Sequence, residues 1–533
     1  MPDTLYYGDN LHVLREHIAD ESVDLIYLDP PFNSNANYNI LFKSPEGQSS
    51  DAQIEAFEDT WHWNDKAESA FDEVMRSGNS DAAELLRAMR QFLGENDMMA
   101  YLAMMAVRLL ELRRVLKLTG SLYLHCDPTA SHYLKLLLDG VFGPERFVNE
   151  IIWRRYGAHN DVGQGSRHFG RVHDVILFYS RTAARTWNQV FGPYDHDYVS
   201  STYRYDDGDG RKYTTTPLTG PGGAEKGNPV FEWNGHTRAW RYNRATFEKL
   251  DSEGKLHYSR TGYVRQKLYL DEAKGVPAQD LWSDIASLSG AMQERLGYPT
   301  QKPLALLERI IAASSNEGDV VLDPFCGCGT AIHAAHKLGR QWIGIDVTHL
   351  AIGLIEKRMQ DAFPGIRMEV KGRPQSLDDA LNLAKRDKHQ FELWALSVVE
   401  AVPWKGGRKG ADTGIDGIIY FKPDGKRTEK AIVEVKGGGV GVKDIGRLAQ
   451  VMERERAPIG VFLTAQPPTR AMERDAASVG VWTQEETGRR FPRLQILTLA
   501  ELFQGKRPDI PWIDTGAVKK AKREDTGKQG TLL

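Results

Sequence analysis

The sequence is poor in cysteine, with Cys126, Cys326 and Cys328 among 533 residues. An odd, sparse set gives no disulfide framework and predicts a reducing, cytoplasmic setting. Cys326 and Cys328 lack the partner ligands of a zinc site, so we interpret them as small residues in a tight loop. No apolar run is long enough to cross a bilayer and the N-terminus has no signal-peptide layout, so no membrane contact is expected.

An excess of charge of one sign is also missing. Lys and Arg total 68, Asp and Glu total 72, and the formal net charge is -4. The chain is therefore no bulk polycation, and positive charge that meets a nucleic acid has to be gathered locally. If a domain has about 150 residues, a chain of this length indicates roughly three or four domains.

The order of predicted elements indicates an α/β protein with two unequal domains. Buried strands alternate with helices up to about residue 180 and again from about residue 298. The strands that carry this pattern are predicted at 23–28, 120–125, 172–180, 319–323 and 341–346. A Tyr-, Trp-, Arg- and Gly-rich insert interrupts them at 181–275. We expect a first domain at 1–370, a linker at 371–384, a smaller α/β domain at 385–503 and a disordered basic tail at 504–533.

A glycine loop lies between two acids in "GDVVLDPFCGCGTAIHAAHKLGRQWIGIDV" (318–347). One strand ends at Asp323 and a second ends at Asp346, with Gly327 and Gly329 between them. This layout is typical of a nucleoside site in a doubly wound sheet, where the second acid binds ribose hydroxyls. Ile332 breaks the G-x-G-x-x-G fingerprint, and Asp323 would repel a pyrophosphate. S-adenosylmethionine therefore fits better than NAD, although a nicotinamide oxidoreductase and a plain strand–helix turn remain alternatives.

With these motifs in order, residues 1–360 resemble the β-class DNA amino-methyltransferases. The resemblance implies a Rossmann-like S-adenosylmethionine-dependent methyltransferase domain with an inserted target-recognition region. Its catalytic tetrapeptide matches Asp29, Pro30, Pro31 and Phe32. Its cofactor-binding segments match Asp9, Thr300, Gln301, Lys302, Asp323, Phe325, Gly327, Gly329, Thr330 and Asp346. Cys328 stands where the family usually has Ser, a small change with little expected effect.

The tetrapeptide suits chemistry on the amino group of a base. Asp29 ends a buried strand, and its carboxylate and the Pro30 carbonyl can accept the two amino hydrogens. That frees the nitrogen lone pair for attack on a methyl sulfonium, while the prolines fix the backbone and Phe32 stacks on a flipped base. In the family, Asp in first place goes mainly with N6-adenine, so adenine is favoured and N4-cytosine is the alternative. Methylation at cytosine C5 is disfavoured because no cysteine follows a proline.

The insert at 181–275 is the candidate for target recognition. Its basic and aromatic residues mix charge with stacking surface, as base reading and phosphate contact require. The residues in question are Tyr203, Arg204, Arg211, Lys212, Arg238, Trp240 and Arg241. The alternative is a structural insertion whose aromatic side chains fill its own core.

A third pattern lies in "KGADTGIDGIIYFKPDGKRTEKAIVEVKGG" (409–438). Asp416 precedes one strand of a predicted hairpin, and Glu434 and Lys436 share a face of the other. Two carboxylates beside a lysine can hold Mg²⁺ and assist hydrolysis of a phosphodiester. Residues 385–470 resemble the restriction-endonuclease-like fold of the Mrr type, with Asp416 and Glu434 as metal ligands. The alternative is an exposed, salt-bridged hairpin.

Together these patterns predict a double-stranded-DNA adenine methyltransferase, linked to a Mg²⁺-dependent endonuclease as in restriction-modification. The alternative is a solitary methyltransferase whose C-terminal domain only binds DNA. No G-x-x-x-x-G-K-S/T motif is present, so translocation needs a separate subunit. A homodimer and a separate restriction subunit are further possible partners.

Overall fold

A computed structural model describes most of the chain. The described residues are 3–30, 62–156, 167–288, 292, 294, 296, 300–404, 414–424, 427–485, 487–511 and 522–524, with the backbone of strands at 37–43 and 49–58. They divide into two compact units, one of residues 1–188 with 280–529 and one of residues 189–279. In the part of the chain that is described, no helix is long and apolar enough to cross a membrane.

The first 188 residues alternate strands and helices, as the hydrophobic pattern predicts. The elements are β1 (Thr4–Tyr7), α1 (Asn10–His17), β2 (Val23–Leu28), β3 (Asn37–Lys43), β4 (Ser49–Glu58), α2 (Asp65–Arg76), α3 (Ser80–Leu93), α4 (Asp97–Val115), β5 (Leu116–Cys126), α5 (Ser131–Phe142), β6 (Phe147–Arg154) and β7 (His173–Ser180). The β3–β4 hairpin, in which β4 carries three acidic residues, was not predicted from the sequence.

The second unit, residues 189–279, is a small and mostly antiparallel module. Its elements are β8 (Phe191–Gly192), α6 (His196–Thr202), β9 (Tyr205–Asp206), β10 (Lys212–Pro217), β11 (Val230–Trp233), β12 (His236–Ala239), α7 (Arg244–Ser252), β13 (Leu256–Tyr258), β14 (Val264–Tyr269) and β15 (Val276–Pro277). Strands β13, β14, β10 and β9 form one sheet in that order. The core of the module contains Leu218, Trp240, Phe247, Leu256 and Val264.

After the insert, the α/β alternation resumes. The elements are β16 (Leu281–Trp282), α8 (Leu304–Ser314), β17 (Val320–Asp323), α9 (Thr330–Lys337), β18 (Gln341–Asp346), α10 (His349–Ala362) and β19 (Glu369–Lys371). They complete a nine-stranded sheet in the order β16-β6-β7-β5-β2-β17-β18-β1-β19. From β5 to β19 the strands are parallel, and β7 runs antiparallel to β5 and β6. The carboxyl ends of the parallel strands therefore meet at one edge, where ligands bind in open α/β sheets.

The C-terminal domain is a smaller α/β unit. Its elements are α11 (Leu377–Arg386), α12 (Lys388–Val398), β20 (Val402–Pro403), β21 (Gly417–Phe421), β22 (Glu429–Lys436), α13 (Val442–Arg454), β23 (Ile459–Thr464), α14 (Arg470–Ser478), β24 (Val481–Thr483), β25 (Arg490–Pro492), β26 (Leu494–Thr498) and α15 (Leu499–Phe503). Its main sheet has the order β20-β21-β22-β23-β26.

Two segments bear on the predicted domain boundaries. Within the range predicted as a linker, α11 starts at a capping box of Ser376 and Asp379 and buries Leu383 in the C-terminal core. Within the range predicted as a tail, residues 504–511 and 522–524 are described. Glu524 Oε1 lies 3.2 Å from His333 Nε2 on α9. Both segments make defined contacts with the folded domains.

Candidate functional site

Three carboxylates meet at the carboxyl edge of the large sheet. Asp29 directly follows β2, Asp323 ends β17 and Asp346 ends β18, and these strands are neighbours. Burial raises the pKa of Asp323 well above its usual range; the Phe325 amide opposes this rise, and the negative charges of Asp29 and Asp346 add to it. The charges of Asp29 and Asp346 thus act on a buried Asp323, and a cationic ligand at this edge would relieve their repulsion.

Lys302 brings a positive charge to this edge. Its ammonium donates a hydrogen bond to Asp29 Oδ2, and the two side chains are 11% and 15% exposed. The other oxygen, Asp29 Oδ1, is buried and accepts no hydrogen bond from the described residues. The ion pair thus neutralises one side of the carboxylate and leaves the other as an available acceptor. Pro30 is buried beside it, whereas Pro31 and Phe32 lie outside the described residues.

The neighbouring residues Thr300 and Gln301 lie in the same segment as Lys302. Gln301 accepts from the Leu296 amide at 2.8 Å and donates to the Glu294 carbonyl at 2.7 Å. Both ends of this amide therefore bind the backbone of their own segment. We infer that Gln301 shapes the loop that presents Lys302.

The glycine loop has the tight geometry that its sequence predicts. Gly327 and Gly329 have φ of 50° and 75°, and Gly329 caps α9, which begins at Thr330. A Cβ at Gly329 would lie 2.8 Å from Ile355 Cγ1, so a larger residue does not fit without movement. Phe325 donates its amide to Asp323 Oδ1 at 3.1 Å. The loop thus passes between the ends of β17 and β18 with its backbone close to both acids.

Asp346 is held by hydrogen bonds from two directions. Its Oδ2 accepts from the Gly327 amide at 3.0 Å, and its Oδ1 accepts from the amide and hydroxyl of Thr348, each at 2.9 Å. Burial raises the pKa of Asp346 to about 6, and the hydrogen bonds from Thr348 and Gly327 limit the rise. The carboxylate is therefore fixed in place and titrates close to neutral pH.

Asp9 reaches the same edge from β1. It caps α1 by accepting from the Leu11 amide at 2.9 Å. The buried Arg108 guanidinium lies 2.9 Å from Asp9 Oδ2 and donates to Asn10 Oδ1 at 2.7 Å. Asn10 in turn donates to the Pro324 carbonyl at 2.9 Å, which ties the end of β1 to the glycine loop.

Sequence reasoning missed Arg108, Asn10 and a second buried arginine, Arg358 of α10. Arg358 donates to the Cys328 carbonyl and to Thr330 Oγ1, both at 3.1 Å. Both arginines therefore bind loops of the site from the protein interior, Arg108 at the end of β1 and Arg358 at the glycine loop. Each of the two arginines interrupts an otherwise apolar helix face. Because an unpaired buried charge is costly, this pattern could have predicted a buried arginine with a partner at both positions.

The C-terminal domain brings its predicted residues together. Asp416 precedes β21 and accepts from the Val435 amide of β22 at 2.6 Å. Glu434 is fully buried, with Lys436 Nζ 3.0 Å from its Oε1. Burial raises the pKa of Glu434; Lys436 opposes the rise, and the nearby Asp416 charge adds to it. The described residues contain no group of three or more His, Cys, Asp or Glu side chains placed to hold a metal.

The structure separates the candidate residues of the insert into buried, exposed and ion-paired side chains. Trp240 is fully buried in the core of the module and Tyr203 is buried as well, so both fill the interior. The exposed members are Arg204, Lys212, Arg238 and Arg241. Arg211 pairs with Asp271 at 2.8 Å and with Glu272 at 3.1 Å. Four of the predicted basic side chains are therefore exposed on the module, while these two aromatic side chains are structural.

Comparison with known proteins gives two family matches. A model described as DNA methylase matches residues 23–357. A model described as NACHT-associated inactive Restriction Endonuclease 1 matches residues 397–504.

Relatives of the chain are also found among named proteins. The chain is 30% identical over 363 residues to the Type II methyltransferase M.EcaI of Enterobacter cloacae, covering 67% of this chain and 69% of that protein. It is 28% identical over 355 residues to the StyLTI Mod subunit of a Type III restriction-modification enzyme of Salmonella typhimurium, covering 63% and 50%. A crystal structure of TTHA0409 of Thermus thermophilus with S-adenosyl-L-methionine aligns with a TM-score of 0.33 and 17% identity, covering 70% and 99%.

Proposed function

We propose, since this chain belongs to the DNA methylase family, that it moves a methyl group from S-adenosylmethionine to the N6 amino group of adenine in double-stranded DNA. Membership makes it a DNA methyltransferase; the base, the donor and the acting residues are our proposal. The observation that carries the proposal is Oδ1 of Asp29. This oxygen is buried at the carboxyl edge of the sheet, where ligands bind, and it accepts no hydrogen bond from the described residues.

The charge of the edge supports this donor. S-adenosylmethionine carries a sulfonium and an ammonium, and the part-buried Asp29 and Asp346 beside the buried Asp323 suit such a cation. We assign Asp346 to the ribose hydroxyls, Asp9 to the adenine end, and the glycine-loop amides with Asp323 to the methionine end. When bound, the donor supplies an electrophilic methyl group, and its carbon–sulfur bond breaks as the amino nitrogen takes the carbon.

The chain's own contribution is to prepare the amino group of the base. Its lone pair is delocalised into the ring, so the nitrogen is a poor nucleophile. Asp29 Oδ1 and the Pro30 carbonyl accept its two hydrogens, which favours a tetrahedral nitrogen with a localised lone pair. The hydrogen bond from Lys302 holds the Asp29 carboxylate in place beside the other acids. As the nitrogen–carbon bond forms and the carbon–sulfur bond breaks, one amino proton passes to water.

Adenine is the proposed base because Asp stands first in the tetrapeptide, and N4-cytosine is the alternative. Nucleoside mass spectrometry of DNA from cells that express the chain tests this assignment. N6-methyladenine that is absent with an empty vector supports it, and N4-methylcytosine alone contradicts it. Long-read sequencing of the same DNA gives the sequence context.

The second part of the proposal is that the C-terminal domain cuts DNA with Mg²⁺. Glu434 is buried, and neither of its oxygens accepts a well-oriented hydrogen bond from the described residues. Asp416 adds like charge to it, so a divalent cation between the two would relieve the repulsion. Asp416 and Glu434 would hold the ion, and Lys436 would stabilise charge on the phosphate. This arrangement supports restriction-modification by one chain.

The alternative is a domain that binds DNA without cutting it. The matched family is described as inactive, and no third carboxylate or histidine joins Asp416 and Glu434 in the described part of the chain. Supercoiled plasmids, methylated and unmethylated, incubated with Mg²⁺ separate the two. Cleavage that disappears in both Asp416→Ala and Lys436→Ala supports the nuclease. Intact plasmid under all conditions, with retained DNA binding, supports the alternative.

A further inference from the structure

A line of buried polar side chains crosses three neighbouring strands of the large sheet. Tyr27 of β2 lies with its hydroxyl 3.0 Å from His125 Nδ1 of β5. His125 Nε2 lies 2.9 Å from Asp174 Oδ2 of β7. At the end of this line, Arg155 Nε lies 3.1 Å from Asp174 Oδ1. The side chains of His125 and Asp174 are 0% exposed, so this is a network inside the protein.

The chemistry of the groups fixes the direction of each hydrogen bond. Burial opposes ionisation of Asp174, but the hydrogen bond from His125 and the charge of Arg155 lower its pKa, so it is a carboxylate and accepts. His125 therefore donates from Nε2, which in the neutral ring leaves Nδ1 as the acceptor. Burial raises the pKa of Tyr27 well above its usual range, so its hydroxyl stays protonated and can donate to the Nδ1 acceptor of a neutral His125. The Nε2–H tautomer of His125 satisfies both of these contacts.

The register of the strands places this network beside Asp29. Leu28 of β2 pairs with Leu124 of β5, so the next residues along, Asp29 and His125, come to the same level. Tyr27 and Asp29 are two residues apart and face the same side, since side chains alternate along an extended chain. The charge of Asp29 acts on Tyr27, and the charge of Lys302 acts on Asp174. The network therefore lies next to the Asp29–Lys302 pair in the sheet.

Stability alone gives a weak reason for such a network. A buried ion pair with its hydrogen-bonded neighbours often contributes no more than apolar residues of the same volume. A satisfied polar network does, however, hold its members in one arrangement. At this edge of the sheet, the network restrains the end of β2, which carries the Asp29 carboxylate.

We infer that Tyr27, His125 and Asp174 are positioning residues for methyl transfer, which hold the end of β2 so that Asp29 meets the amino group at the correct place. The inference rests on the proposed function and deepens it. A positioning role and a purely structural role predict different kinetics for variants of these residues. Loss of the network lowers kcat and leaves the affinity for S-adenosylmethionine almost unchanged, because none of the three residues belongs to the cofactor loops.

Tyr27→Phe is the decisive variant, because it removes one oxygen and keeps the ring. Its matched control is Tyr123→Phe, since Tyr123 pairs with Tyr27 in the sheet and its buried hydroxyl contacts Ser314 Oγ at 2.7 Å. We expect kcat about tenfold lower in Tyr27→Phe than in Tyr123→Phe, because small displacements of a reacting group are costly. The dissociation constant for S-adenosylmethionine stays within about twofold in both variants. Equal kcat values in the two variants would overturn the inference.

A second measurement does not depend on activity. In protein labelled with ¹⁵N-histidine, the His125 resonance, identified by its loss in His125→Asn, should report Nε2–H. Asp174→Asn should convert it to Nδ1–H, because an amide NH₂ donates where the carboxylate accepted. A wild-type Nδ1–H form overturns the network. If wild-type protein methylates no DNA but shows Nε2–H, the proposed function fails while the network stands.

Discussion

Lys302 and Asp29 form a part-buried ion pair although 273 residues separate them in the chain. The pair connects the segment before α8 with the end of β2, two parts that the resemblance assigns to cofactor binding and catalysis. Lys302 thus contacts the carboxylate proposed to bind the amino group. Its predicted role in cofactor binding stays a prediction, and the structure adds a direct link to Asp29.

Removing Lys302 should impair catalysis. In Lys302→Gln the Asp29 carboxylate loses its counter-charge near Asp323, so we expect kcat to fall about 10- to 100-fold. Incorporation of a tritiated methyl group into DNA measures it. Lys117→Gln is the matched control, because Lys117 pairs with Asp24 at 2.7 Å near the starts of β5 and β2. Equal activity of the two variants would contradict the role of Lys302.

Binding of S-adenosylmethionine should weaken in acid through Asp346. Its pKa of about 6 lies above the usual carboxyl range, so the ribose acceptor is neutralised as pH falls below 6. From pH 7 to pH 5 we expect about a tenfold loss of affinity by calorimetry. A raised carboxyl pKa also means that the folded chain holds this proton more tightly. Its contribution to stability is therefore lost as pH rises from about 4 through 6.

Asp346→Asn supplies the control for this pH dependence. The variant binds more weakly at neutral pH and loses the part of the pH dependence that Asp346 contributes. An affinity of the wild-type chain that is constant between pH 5 and pH 7 would count against the assignment of Asp346 to the ribose.

The glycine loop should tolerate no side chain at Gly329. Gly318 and Gly329 both have positive φ, but a Cβ at Gly318 meets nothing within 4 Å, whereas one at Gly329 meets Ile355. Gly318→Ala should cost about 1 kcal/mol of unfolding free energy from backbone strain alone. Gly329→Ala should cost more and also weaken S-adenosylmethionine binding, as urea unfolding and calorimetry would show. Normal binding by Gly329→Ala would mean that the loop does not contact the donor.

Basic side chains of the insert should contribute to DNA affinity through phosphates. Arg238→Ala and Arg241→Ala remove exposed charges, and each should lower the slope of log K against log salt by about 1. Fluorescence anisotropy at several salt concentrations measures the slope. Trp240→Ala is the contrasting variant, since loss of a fully buried indole should destabilise the module by about 3–5 kcal/mol. Unchanged slopes in both arginine variants would contradict target contact by this surface.

The elements that the sequence predicted well are those with a dense local signal. The strands at 23–28 and 341–346 agree with the structure to the residue, because each has an apolar centre and is followed by a clear change in sequence. The glycine loop has the conformation that its spacing predicts, since positive φ at Gly327 and Gly329 is a local property of the chain.

What the sequence left open depends on contacts between distant segments. The Lys302–Asp29 pair and the partners of Asp174 are set by strand order, which no local pattern contains. The sequence left open whether Tyr203 and Trp240 of the insert contact DNA or fill the core of the module. Both are buried in the structure, so they fill the core. Helix α11 had a readable start in Ser376 and Asp379, but Pro374 and the charged residues around it suggested a linker.

The most direct test of the account is Asp29→Asn, which keeps the size of the side chain and removes its charge. Single-turnover methyl transfer is measured with saturating S-adenosylmethionine and DNA, beside calorimetric binding of the donor. The account predicts donor binding within about twofold of wild type and a transfer rate at least 100-fold lower. Transfer at the wild-type rate, with the donor bound normally, would contradict it.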